Sequence, residues 1–87
     1  MISGKTNSGF AFELSEDVLD DYELLEVLCA VDAGEYGKVP EVVKLLLGED
    51  QKNKLKEHIR KENGKVSANL MLSEVTDIFN STKSLKN

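Results

Sequence analysis

"LDDYELLEVLCAVDAG", residues 19–34, is the stretch whose reading decides the fold. Its five carboxylates, Asp20, Asp21, Glu23, Glu26 and Asp32, are set among Leu, Val, Tyr, Cys and Ala side chains. The stretch reads either as an acidic site or as a helix whose acids occupy its end and its wet edge. Ser15 is a suitable N-cap, since its hydroxyl can accept from a first-turn amide. Gly34 is a suitable stop, because it takes the left-handed conformation without penalty. A helix from Ser15 to Ala33 would place Val18, Tyr22, Leu25, Leu28 and Cys29 on one face, with Leu24, Val27 and Val31 widening the apolar arc. Glu23, Glu26 and Ala30 would form the remaining strip. A helix so apolar is expected at the centre of its domain, stabilised by burial more than by propensity. Asp17, Asp20 and Asp21 would sit in its first turns, where the dipole and unpaired amides favour negative charge.

Working outward, Phe10, Phe12 and Leu14 alternate with Ala11 and Glu13, the period of a half-buried strand. Asn7-Ser8-Gly9 has turn chemistry, so Ser3–Thr6 can return as a first strand. A lone hairpin is marginal in water and needs helices beneath it. After the linker "AGEYGK" (33–38), Pro40 suits a helix start. Val39, Val42, Val43, Leu46 and Leu47 supply the buried face of that helix, and Gly48 ends it. Glu49, Asp50 and Gln51 open a third, surface helix with only Leu55 and Ile59 to bury; Asn63-Gly64 is its stop signal. Ser67 caps a fourth helix, whose Ala68, Met71, Leu72, Val75, Ile78 and Phe79 recur at helical spacing. The expected fold is therefore α+β and mainly α: an N-terminal β-hairpin packed on a small bundle of about four helices. It forms one domain over residues 1–80, and the polar residues 81–87 form a frayed tail.

Size and charge narrow the function. Eighty-seven residues, 40% apolar and 31% charged, suit one small globular domain. So short a chain buries a modest fraction of its surface, and self-association would help stabilise it. No apolar run approaches the length needed to cross a bilayer. Met1-Ile2-Ser3-Gly4-Lys5 has no basic region followed by an apolar one, and the single Cys29 cannot form an internal disulfide. A cytoplasmic protein is expected. Residues 1–35 hold nine acids and one Lys, and residues 36–87 hold seven acids and ten bases. An acidic chain is a poor general partner for nucleic acid, although its two halves complement each other.

Chemistry-bearing patterns are sparse. Asp17, Asp20 and Asp21 lack the alternating oxygens, Gly and terminal Glu of a calcium loop. His58 stands between Lys56, Glu57 and Arg60 without a nucleophile at motif spacing, and it reads as a solvated residue. Cys29, on the most apolar helix face, reads as a packed, unreactive thiol. "GEYG" (34–37) lacks phosphate-loop spacing. Neither a cofactor nor a catalytic role is expected. The run "KNKLKEHIRK" (52–61) has no interleaved aromatic for base stacking, so beyond a solvated face it suits an acidic protein partner. Lys56, Arg60 and the outward Leu70 are the candidate partner-binding residues. Lys56 and Arg60 are expected at the rim of a groove between the second and fourth helices that could take an amphipathic helix.

The order of elements resembles a known family. "SGFAFEL" (8–14) leads to "DDYELLEVLCAVDAGE" (20–35), then "VPEVVKLLLGEDQKNKLKEHIRKENGKVS" (39–67) and "LSEVTDIF" (72–79). The most specific parts are "DDYELLE", the P-x-x-x-x-L-L-L-G pattern from Pro40 to Gly48, and E-x-x-L-K-E-H, met loosely because Lys52 stands at its Glu. These are similar to small acidic tail assembly chaperones of tailed phages and prophages of low-GC Gram-positive bacteria. The resemblance implies a non-enzymatic protein in the host cytoplasm, missing from the finished virion. It would coat the tape measure protein and help recruit tail tube protein. The family brings no catalytic motif to carry over. Two other readings stay open: a small regulatory adaptor binding a host or phage protein, and a nucleic-acid-binding regulator. Gel shift and tape-measure binding would separate them.

Overall fold

The computed structural model describes residues 1–85, with side chains through Thr82. Strands β1 (Ile2–Lys5) and β2 (Ala11–Leu14) pair antiparallel in the register Ile2↔Leu14 to Lys5↔Ala11. The expected alternation holds, and Phe10, Phe12 and Leu14 are all buried. Gly9 turns the chain at φ 93°, its amide donating to the Thr6 carbonyl at 2.9 Å. Phe12 lies across its partner Gly4, where an added Cβ would come within 2.9 Å of the ring. The outer edge of β2 is closed by Gln51, whose amide accepts from the Glu13 N–H and donates to its carbonyl, both at 2.7 Å. One side chain thus replaces a neighbouring strand and blunts an edge that could otherwise pair with another chain.

The helix expected from Ser15 to Ala33 is two pieces. Glu16–Asp20 form a 3-10 turn, and helix α1 spans Tyr22–Asp32. Between them Asp21 is extended (φ −85°, ψ 116°), and its carboxylate accepts from the Glu23 amide at 2.9 Å. Asp21, not Ser15, is the cap; Ser15 makes no side-chain capping bond. Short acidic side chains bond their own backbone readily, and that interrupts a helix as easily as it starts one. Gly34 follows the C-terminus at φ 101°, as expected.

The buried face of α1 also differs from the expected one. Leu24 and Val31 are buried and Val27 and Leu28 pack beside them, whereas Tyr22 (69% exposed), Leu25 (53%) and Cys29 face solvent. An arc wider than half a turn does not itself say which side goes in. The centre of the domain belongs to α2 (Val39–Ile59), which buries Val42, Val43, Leu46, Leu47, Leu55 and Ile59. It packs against α1, α3, β2, the Glu16–Asp20 turn and a second 3-10 turn, Tyr36–Lys38.

The second and third expected helices are the two halves of α2, broken at Gly48 (φ 81°, ψ 167°), so the described residues form three helices where about four are expected. Glu49 clamps the break, facing Lys52 at 3.0 Å and Lys44 at 3.9 Å. The second half buries only Leu55 and Ile59 and ends at Ile59, before the expected Asn63-Gly64. Those two residues belong to a tight turn instead, with Lys61 N–H donating to the Lys65 carbonyl at 2.8 Å and Gly64 at φ 86°.

Ser67 starts α3 (Ala68–Leu85) as expected, accepting from the Leu70 amide at 3.2 Å. Val75 and Ile78 of α3 are buried against the rest of the core. The helix continues into the residues expected as a polar tail, with Thr82 buried; Lys86 and Asn87 lie outside the described residues. No described helix is long and apolar enough to cross a membrane.

Candidate functional site

Two places concentrate unusual chemistry. The larger is an open groove of about 660 Å³ between the two halves of α2 and the start of α3. Tyr36 and the first turns of α2, Val39, Pro40 and Val43, form one side. Val66, Ala68, Met71 and Leu72 form the other, and Lys52 and Lys56 of α2 close one end. Both halves of α2 contribute, Val39, Pro40 and Val43 from before the Gly48 break and Lys52 and Lys56 from after it. The lining is apolar apart from Ser67, Asn69 and these two cations, and no acid contributes to it. Its volume falls in the range of binding clefts, but its shape is a trough rather than an enclosed cavity.

The sequence candidates fall differently around this groove. Lys56 lines it and has no ion-pair partner within 4 Å among the described residues. Arg60 does not line it. At the C-cap of α2, its guanidinium donates to Glu57 Oε2 at 2.6 Å and to the Gly64 carbonyl at 2.6 Å. Arg60 therefore ties the helix end to the following turn instead of standing at the rim. The hydrogen bond from Arg60 holds the exposed Glu57 carboxyl below its ordinary value and raises the guanidinium above its own. Leu70 is 45% exposed and does not line the groove. Lys52 and Met71 line the groove as well, although the sequence marks Lys52 only as one of a run of similar bases and Met71 only as part of a helix's apolar arc.

The second place is a polar knot joining the hairpin turn to α2 and α3. Glu74, only 4% exposed, accepts from Thr6 Oγ1 and Ser8 Oγ, each at 2.8 Å. Thr6 Oγ1 also accepts from the Phe10 amide at 3.2 Å, and Asn7 makes two bonds to Asp77 at 3.1 and 3.2 Å. His58 Nε2 lies 3.0 Å from Ser8 Oγ, and its ring tilts against Phe10 at 5.5 Å between centroids. His58 is exposed, as expected, but it is not free.

A serine beside a histidine and a buried carboxylate invites a nucleophile reading, but the contacts are not ordered as a triad. Ser8 Oγ lies 2.8 Å from Glu74 Oε2, 3.0 Å from His58 Nε2 and 3.1 Å from Thr6 Oγ1. In a working triad the acid grips the other ring nitrogen, whereas here it grips the hydroxyl. The knot is a structural tie. No buried side-chain polar atom lacks a partner among the described residues.

Asp17 and Asp20 are exposed on the first 3-10 turn, and Asp21 is occupied as a cap. Among the described residues no group of three or more His, Cys, Asp or Glu is placed to hold a metal ion. Comparison with protein-family models, with curated proteins and with solved structures finds no match to this chain.

Proposed function

We propose that this chain is a non-enzymatic phage tail assembly chaperone that holds a helical stretch of a tape measure protein and aids tail tube assembly. The observation that carries the reading is the apolar trough closed by Lys52 and Lys56. A trough lined by Val39, Val43, Met71 and Leu72 accepts apolar side chains at i, i+3, i+4 and i+7 of a helix, and the Lys56 ammonium selects a carboxylate beside them, Lys52 being already paired with Glu49. The sequence resemblance supplies the partner's identity. A protein that keeps an aggregation-prone helix soluble needs such a trough and a high surface charge, both present here, and no reaction chemistry.

The test is co-expression with the helical region of a tape measure protein. The wild-type chain should raise the soluble fraction of the tape measure. Lys56→Glu combined with Ala68→Asp should not, because it places negative charge at the trough while keeping a helix-compatible acid at the start of α3. Equal tape-measure solubility with and without the wild-type chain would overturn the proposal.

A further inference from the structure

The same molecule carries both a groove and a segment fitted to one. Tyr22, Leu25 and Cys29 occupy positions i, i+3 and i+7 of α1, on the side opposite the buried Leu24 and Val31. Helix α1 is thus apolar on two faces, and the core uses only one. Glu26 adjoins the exposed stripe and Glu23 and Asp32 complete the helix's charges, with no basic residue in its eleven. An i, i+3, i+7 set of anchors is the pattern by which an amphipathic helix seats in a groove. The groove between α2 and α3 offers the complement, apolar walls with the Lys56 ammonium and no acid in the lining, beside Lys52, which Glu49 already pairs.

We propose that a second copy of this chain is a ligand of the groove: the outer face of α1 from one copy seats between α2 and α3 of the next. Leu25 enters the trough between Val39 and Met71, and Glu26 meets Lys56. Charge complementarity selects this occupant. The donor segment lies in the acidic part of the chain, with nine acids and one Lys over residues 1–35, and the acceptor lies in the part where bases exceed acids. Donor and acceptor are different surfaces, so the contact is heterologous. Each copy that fills its neighbour's groove still presents its own, and association proceeds head to tail. The contact uses about 16 Å of helix, so it falls at the small end of specific interfaces and is weak and concentration-dependent. A helical partner entering the groove competes with the neighbouring copy. The inference rests on the groove itself and not on which outside protein binds there.

Sedimentation velocity of the full chain, over a concentration series reaching the millimolar range, tests it with two variants. Leu25→Lys/Glu26→Lys spoils the donor face at exposed positions and leaves the groove intact. Lys56→Glu/Ala68→Asp spoils the groove and leaves the donor face intact. The expected result is growing association of the wild type, monomers for each variant alone, and a 1:1 dimer when the two variants are mixed, since one sound donor and one sound groove remain. Raised salt should weaken the dimer. A wild type that stays monomeric throughout, variants that still associate alone, or a mixture that stays monomeric would each overturn the inference. The donor-face variant also separates this inference from the chaperone reading. Its groove is sound, so it should still solubilise the tape measure helix if that reading holds, whether or not copies associate.

Discussion

Replacing Thr6 with Val keeps the shape of a 5%-exposed side chain and deletes its oxygen. Three hydrogen bonds go with it: the donation to Glu74 Oε1 at 2.8 Å, the acceptance from the Phe10 amide at 3.2 Å and the contact with Ser8 Oγ at 3.1 Å. A hydrogen bond to a charged acceptor contributes about 1.5–3 kcal/mol, and a buried donor left without a partner costs about 1–3 kcal/mol. The carboxylate keeps Ser8 as its second donor, which holds the total near the lower sums, at about 3 kcal/mol. A domain of this size has only about 4–13 kcal/mol of net stability, so the loss is a large share of it. Thr6→Ser is the control. It retains the oxygen and loses one methyl, which costs about 1 kcal/mol. Equilibrium urea unfolding followed by circular dichroism reads both variants. If Thr6→Val unfolds within about 0.5 kcal/mol of Thr6→Ser, the knot does not hold the hairpin and the reasoning fails.

Gly48→Ala should destabilise by about 1–3 kcal/mol, because φ 81° with ψ 167° is a region open in practice only to glycine. A gain in urea midpoint, with the groove retained, would contradict a fixed break there. Cys29, exposed on α1, should react with a thiol reagent in dilute native protein at nearly the rate of an unfolded control; strong protection would contradict the outward face of α1. The Glu57 carboxyl, lowered by its Arg60 hydrogen bond, should titrate by NMR below the ordinary 4.5, and Arg60→Ala should bring it back up. Its contribution to stability is present above 4.5 and fades as pH falls through the lowered value, an effect that solvent and salt keep small at so exposed a site.

What was legible in the sequence was local. The alternation through Phe10, Phe12 and Leu14, the cap at Ser67 and the stop at Gly34 each follow from a few neighbouring residues. Where two local signals competed, reading along the chain chose wrongly. Ser15 and Asp21 are both good caps, and only the folded context makes Asp21 the one in use. The outer face of α1 is nearly as apolar as the inner one, so the pattern alone does not show that Cys29 lies outside. Lys56 was legible as one of a basic run facing a groove, while Arg60, one turn on, was claimed by Glu57 and Gly64. The polar knot left no trace that spacing could reveal. Its members come from a turn, the end of α2 and the middle of α3, 50 to 70 residues apart.

That separation governs how the protein can be made. The hairpin leaves the ribosome before the residues that fasten it, Glu74 and Asp77, which are synthesised 66 to 70 positions later. At cellular elongation rates of about 5–20 residues per second, Phe10, Phe12 and Leu14 wait roughly 4–14 s before their anchors exist. During that interval the nascent chain exposes an apolar hairpin face, and the fold closes over it only once Glu74 and Asp77 have emerged.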